Sequence, residues 1–233
     1  MRIGLCDSGL GGLTVLKELT LSHPNNDYIY IGDNLNLPYG DKTKEELKEL
    51  GQNLINFLES KNVDLIIIAC GTLSSTVLKE LKPNTKLIDI ITPTINYVNK
   101  NIRNNITVLA TKATINTHIF KNKLNNKVTE VECPTFVPMI EENRINENEI
   151  NEKITNKNDT IILGCTHYSL LEPYIKQEKI NMGKVLTQSI KENKGNGKVE
   201  IYFTLINDKL KQNVKNIIDK EVNYARITRS WNC

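Results

Sequence analysis

Two cysteines in this sequence sit in nearly the same surroundings. Residues Asp64 to Thr72 read Asp-Leu-Ile-Ile-Ile-Ala-Cys-Gly-Thr, and Asp159 to His167 read Asp-Thr-Ile-Ile-Leu-Gly-Cys-Thr-His. In both, an aspartate opens an apolar run, a small residue precedes the cysteine, and a threonine follows at once or after one residue. A thiol is a weak acid and its thiolate is a base. One of each on opposite faces of a carbon acid suits the inversion of a stereocentre, because one group removes the proton and the other returns it. Cys70 and Cys165 are therefore the candidate acid and base. Asp7 and His167 are the nearest candidates to orient or charge them, and histidine is tunable near neutral pH.

Such a pair needs a scaffold that brings two loops face to face. Apolar runs at Arg2–Cys6, Asp27–Ile31, Asp64–Ala69, Lys86–Ile90, Asn105–Ala110, Thr129–Cys133, Thr160–Gly164, Lys184–Thr187 and Val199–Thr204 read as strands. Amphipathic stretches at Leu13–Leu21, Lys44–Glu59, Ser74–Leu81, Ile115–Leu124 and Leu170–Gln177 read as helices between them. Strands alternating with helices make βα units on a parallel sheet. The uninterrupted apolar run Leu65 to Ile68 fits a central strand covered on both faces. The echo between the cysteine segments predicts an α/β fold of two similar parallel-sheet halves facing each other across a central cleft. The expected halves are 1–92 with a returning segment 198–233, and 93–197, with Thr92-Pro93-Thr94 at the crossover. Both cysteines then fall beyond strand carboxyl ends, where open parallel sheets bind ligands. Each would precede a helix N-terminus whose free N–H groups favour a thiolate or a carboxylate.

Other features rank below this pair. Gly32-Asp33 followed by Pro38-Tyr39-Gly40 forms a turn that could hold Asp33 and Tyr39 over the cleft. The glycines of Asp7 to Gly12 resemble a phosphate loop but lack its spacing and its Lys-Ser/Thr ending. Cys6 shares a strand end and reads as packing, Cys133 as core or loop, and Cys233 as the terminal residue. Five cysteines, odd in number and widely spaced, do not form a secreted disulfide framework. A net charge of +3 without a basic cluster interleaved with aromatics argues against nucleic acid. No apolar run approaches the ~20 residues of a membrane span. No charged, apolar, cleavable leader is visible, so the expected compartment is the cytoplasm. Asn-rich stretches at 96–105, 122–127 and 143–158 read as surface drift.

Taken in order, the motifs resemble the aspartate/glutamate racemase family, and its glutamate branch more than its aspartate branch. The matching stretches are Ile3 to Leu16, Tyr30 to Asp33, Pro38 to Gly40, Ala69 to Thr72, Leu109 to Thr114, Phe136 to Glu141 and Leu163 to Tyr168. The resemblance implies a cofactor-independent, two-base interconversion of L- and D-glutamate. Cys70 would remove the α-proton of the D-enantiomer with help from Asp7, and Cys165 that of the L-enantiomer with help from His167. Substrate would be held by Asp7, Ser8, Tyr39, Gly40, Gly71, Thr72, Thr114, Thr166 and His167, with Asp33 and Glu141 as supporting acids. Neither pyridoxal phosphate nor a metal would be needed. The expected role is D-glutamate supply for peptidoglycan and cell-wall biogenesis, and hence cell shape, by a homodimer.

The sequence departs from the family in four places. Gly71 replaces the asparagine usual after the first cysteine, which leaves either a missing contact to substrate or a backbone angle that only glycine tolerates. Ser169 replaces a proline. The stretch 143–158 is short for the family, and 188–196 is degenerate. Three other functions compete: another amino-acid racemase or related reaction on the same scaffold, a zinc hydrolase using Cys70, Cys165, His167 and one of Cys6 or Asp7, and a binding protein that has lost catalysis.

Overall fold

The computed structural model describes residues 1–191, 195–218 and 224–226. Cys233 and most of the chain after Ile218 lie outside the described residues.

All strand pairings are parallel, and they fall into two sheets. The first contains β1 (Arg2–Asp7), β2 (Asp27–Gly32), β3 (Leu65–Ile68), β4 (Leu87–Asp89), β9 (Val199–Phe203) and β10 (Tyr224–Arg226), in the order β10-β9-β2-β1-β3-β4. The second contains β5 (Ile106–Ala110), β6 (Val128–Glu132), β7 (Thr160–Leu163) and β8 (Lys179–Asn181), in the order β6-β5-β7-β8. The chain is thus two parallel-sheet α/β halves. Each central strand has its sequence successor on one side and the next strand on the other. That reversal leaves a crevice between the loops after β1 and β3, and another between those after β5 and β7. Crevices at such switch points are where open sheets take ligands. Asp7 and Cys70 flank the first, and Thr111 and Cys165 the second.

The helices are α1 (Gly12–Ser22), α2 (Lys44–Ser60), α3 (Gly71–Thr76), α4 (Ile91–Asn101), α5 (Lys112–Asn116), α6 (Ile119–Lys123), α7 (Phe136–Glu141), α8 (Glu147–Glu152), α9 (Met182–Thr187) and α10 (Asp208–Ile217). The longest, α2, starts at a reciprocal capping box. The Thr43 side chain accepts from the Glu46 N–H, and Glu46 accepts from the Thr43 N–H at 2.8 Å. The crossover between sheets is carried by α4, with Pro93 in its first turn, where a missing N–H leaves no helical bond unmade. No helix among the described residues is long and apolar enough to cross a membrane.

Several elements differ from the sequence expectation. Lys184–Thr187 is not a strand but belongs to α9, and the strand lies just before it at Lys179–Asn181. Asn181 decides this: its side chain accepts from Gly183 N–H at 2.9 Å and Lys184 N–H at 3.2 Å, which starts a helix. Leu170–Gln177 is replaced by a 3₁₀ segment at Thr166–Tyr174 with Pro173 inside it, so Cys165 precedes a tighter winding than an α-helix. The Ile115–Leu124 helix breaks into α5 and α6 at His118, whose φ is +50°. The Ser74–Leu81 helix begins earlier, at Gly71, and ends at Thr76.

One apolar core runs through both halves. Ile3, Leu5, Val15, Leu16 and Ile67 of the first pack in the same cluster as Ile106, Val108, Ile162, Met182 and Leu186 of the second. The C-terminal strand β9 supports the loops after β1 and β2. Its Phe203 ring packs edge-on to Tyr30 at 5.8 Å, and the Tyr30 hydroxyl donates to the Gly9 carbonyl. Phe203→Ala should therefore cost about 3–5 kcal/mol of stability, read by urea denaturation. It should also lower activity in the surviving fold, because Gly9 stands between the candidate site residue Ser8 and the start of α1.

Candidate active site

The loop after β1 folds around its own carboxylate. Asp7 is fully buried and accepts from Gly12 N–H at 2.9 Å and Gly9 N–H at 3.3 Å. The hydroxyl of Thr166, from the other half, reaches Asp7 at 3.3 Å. Gly12 has to be glycine, since a β-carbon there would stand 2.6 Å from that of Asp7. Burial raises the Asp7 pKa, opposed by the positive charge of His167 and by these three donors.

Cys70 caps α3 at the end of β3 and is buried. Burial pushes its thiol up to about 12, and the Asp7 charge pushes the same way. Donors at the Leu73 N–H and the Ser8 hydroxyl act against this. Burial and the neighbouring Asp7 carboxylate thus both favour the neutral thiol at Cys70.

Cys165 has the opposite neighbour. Its sulfur is 3.9 Å from Nδ1 of His167, and Nε2 of His167 is 2.8 Å from Glu141, which projects from α7. Burial works against the imidazolium, but the Cys165 and Glu141 partners outweigh it and raise the His167 pKa well above its ordinary value. The neighbour of the Cys165 sulfur is thus an imidazole with a raised pKa, where that of Cys70 is a carboxylate. Both imidazole nitrogens face these partners, which counts against His167 as a zinc ligand. Among the described residues no three His, Cys, Asp or Glu side chains are grouped as a metal site.

A line of hydroxyls bridges the halves beside the thiols. Thr72 and Thr111 meet at 3.0 Å, Thr111 donates to Thr114 at 3.2 Å, and Ser75 donates to Thr114 at 3.2 Å. Thr72, Thr114 and Thr166 are buried. Tyr39 is buried against the same cluster as Cys70, and Gly40 lies against Thr111. Asp33 sits one layer back: it accepts from Tyr39 at 2.7 Å, Asn36 at 2.8 Å and Thr204 at 2.8 Å. These bonds tie the Tyr39 loop to the end of β9. Cys6 and Cys133 are buried free thiols.

Sequence reasoning did not single out Ser75, Thr111, Tyr30 or Thr204. Thr111 and Ser75 carried a usable signal, being small hydroxyls within a few residues of Thr114 and Cys70. Thr204 carried none, lying 171 positions from Asp33.

The opposed surroundings of the two thiols predict their reactivity. With iodoacetamide at pH 7, mapped by peptide mass spectrometry, Cys165 should be modified before Cys70. The thiolate fraction of Cys70, whose pKa is raised, should grow about tenfold per pH unit on raising pH. His167→Ala should slow labelling of Cys165 and leave Cys70 little changed.

Residues 14–187 match the model of the Asp/Glu/hydantoin racemase family. The glutamate racemase of Aquifex aeolicus is 37% identical over 95% of this chain and 96% of its own. The crystal structure of glutamate racemase from Francisella tularensis in complex with D-glutamate superposes with a TM-score of 0.87 at 29% identity, covering 97% of each chain. That of glutamate racemase from Aquifex pyrophilus gives 0.82 at 32% identity, over 97% of this chain and 98% of the other. With a family match across most of its length, two sheets in the same arrangement and duplicated cysteine loops, the chain belongs to the Asp/Glu/hydantoin racemase family.

Proposed function

We propose that this chain is an isomerase that interconverts L- and D-glutamate, passing the α-proton between two thiols without a bound cofactor. The observation that carries the mechanism is the pairing of two cysteines, at the ends of central strands in opposite halves, with partners of opposite kind. In the L-to-D direction the Cys165 thiolate takes the α-proton. The C–H bond breaks, its electron pair stays on the α-carbon, and an S–H bond forms. The Cys70 thiol then returns a proton to the other face, leaving Cys70 as the thiolate. In the D-to-L direction the roles exchange. His167, held by Glu141, stabilises charge on Cys165, and Asp7 buffers the proton on Cys70. Ser8, Gly71, Thr72, Thr114, Thr166 and the Tyr39–Gly40 loop surround the substrate, meeting its carboxylates with hydroxyls and backbone N–H groups.

Glutamate as the substrate rests on the relatives named above. The same kinship supports a cytoplasmic homodimer that supplies D-glutamate to peptidoglycan. Sedimentation of the purified protein reads the assembly state.

L-glutamate in deuterated water tests the reading: optical rotation should decay to zero while deuterium enters the α-position. Cys70→Ser and Cys165→Ser should each abolish turnover in both directions with the fold retained. Ordinary racemisation by Cys165→Ser would refute the two-thiol mechanism. Chelator-treated protein should keep full activity, which a zinc hydrolase would not. His167→Ala should lower kcat by about 10²–10⁴-fold, the range of general acid–base catalysis, and more for L-to-D than for D-to-L. Asp7→Asn should show the opposite bias.

A further inference from the structure

The two cysteine loops come together at Gly71. A β-carbon placed on Gly71 would stand 2.5 Å from the carbonyl oxygen of Gly164, the residue before Cys165. Real β-carbons do not come that close to a backbone atom. The reason for glycine is space and not angle: Gly71 opens α3, and among the described residues only Gly197 is a glycine with positive φ. The expectation of an angle that only glycine tolerates is corrected accordingly.

Neither side of this contact can retreat freely. Gly164 donates its N–H to the Leu109 carbonyl at 2.8 Å, and its own β-position is 2.9 Å from that oxygen and 3.0 Å from the Ala110 β-carbon. The end of β7 is therefore wedged against β5. On the other side, Ala69 donates to Cys6 at 2.9 Å and Ser74 to Cys70 at 3.0 Å, which fixes the turn from β3 into α3. Rotatable hydroxyls such as Thr72 and Thr111 adjust to a small shift, whereas a Cα against a carbonyl oxygen acts as a hard stop.

We propose that Gly71 is a positioning residue, whose missing side chain lets the halves close until backbone meets backbone and so sets the separation of Cys70 and Cys165. This rests on the two-thiol reading. Inversion requires both sulfurs in near-attack positions, about 3–3.5 Å from one α-carbon. A side chain at position 71 would hold the loops apart along that line.

The test is Gly71→Ala and Gly71→Asn, with crystal structures of wild type and Gly71→Ala and kinetics in both directions. In Gly71→Ala the Cys70–Cys165 separation should widen. Its kcat should fall about 100-fold both ways, the effect of a 1 Å misplacement. KM should change far less, because the loss lies in the transition state. Gly71→Asn should be at least as impaired. An unchanged thiol separation would overturn the proposal, as would a widened separation with kcat retained. Failure of Gly71→Ala to fold would assign the contact to stability and overturn it too. A Gly71→Asn enzyme with lower KM and full kcat would show that only a substrate contact was missing. Should wild type not racemise glutamate, the two-thiol reading falls by itself, and the paired crystal structures still decide whether Gly71 sets the spacing.

Discussion

A carboxylate buried without any accessible surface has to find its partners inside the protein, and Asp7 finds them in both halves. Two come from its own loop, the N–H groups of Gly9 and Gly12, and a third is the Thr166 hydroxyl of the opposite half. An unpaired charge at this depth would cost several kcal/mol, so the site is held in register by the need to satisfy it. The same residue 166 is tied a second time, since its carbonyl accepts from Thr14 at 3.3 Å. His167 follows directly, close enough that a β-carbon on Gly11 would lie 2.5 Å from its Nδ1. The segment carrying Cys165 is thereby seated on the turn that carries Asp7.

Sequence duplication gives the two thiols equivalent positions in their sheets, yet their electrostatics differ. Around Cys70 the dominant influences, burial and a neighbouring carboxylate, both favour the neutral thiol. Around Cys165 an imidazole sits between the sulfur and Glu141. A two-base enzyme with identical environments would spread its population over both charged and neutral pairs. Opposite environments distinguish the two sulfurs, as the proposed one-acid, one-base inversion requires.

The sequence made the centre of this fold legible and its edges much less so. Strands β3, β5 and β7 announce themselves because strands covered on both faces are rich in Ile, Leu and Val, and β1 and β2 as short apolar runs between turn residues. Asp7, Cys70, Cys165 and His167 are adjacent to those runs, so locating the strands also located them. The error at Lys184–Thr187 has a local cause: Val185 and Leu186 are buried in the helix α9 as they would be in a strand, and the signal that separates the two is the Asn181 cap. The short helices α7 and α8 carry too few turns for a readable period. Support of the Asp33 loop by Thr204, and of Gly9 by Tyr30 and Phe203, depends on sheet neighbours that one sequence does not reveal. Gly71 was visible as a departure, but its reason lay in a carbonyl on the opposite half.

Under the proposed two-thiol mechanism, asymmetric thiols do not bias the reaction they serve. The enantiomers of glutamate have equal free energy, so the equilibrium constant is one and kcat/KM must be equal in the two directions. Differences between the Cys70 and Cys165 sides can therefore appear only as compensating changes in kcat and KM. A resting form with Cys70 protonated and the cation of His167 beside Cys165 is ready for the L-enantiomer, whereas the D-enantiomer first needs the proton moved. Under the same proposal Asp7, whose pKa burial raises, would carry that proton. Its burial thus does two things at once: it locks the halves together through Thr166, and it raises the proton affinity of the carboxylate.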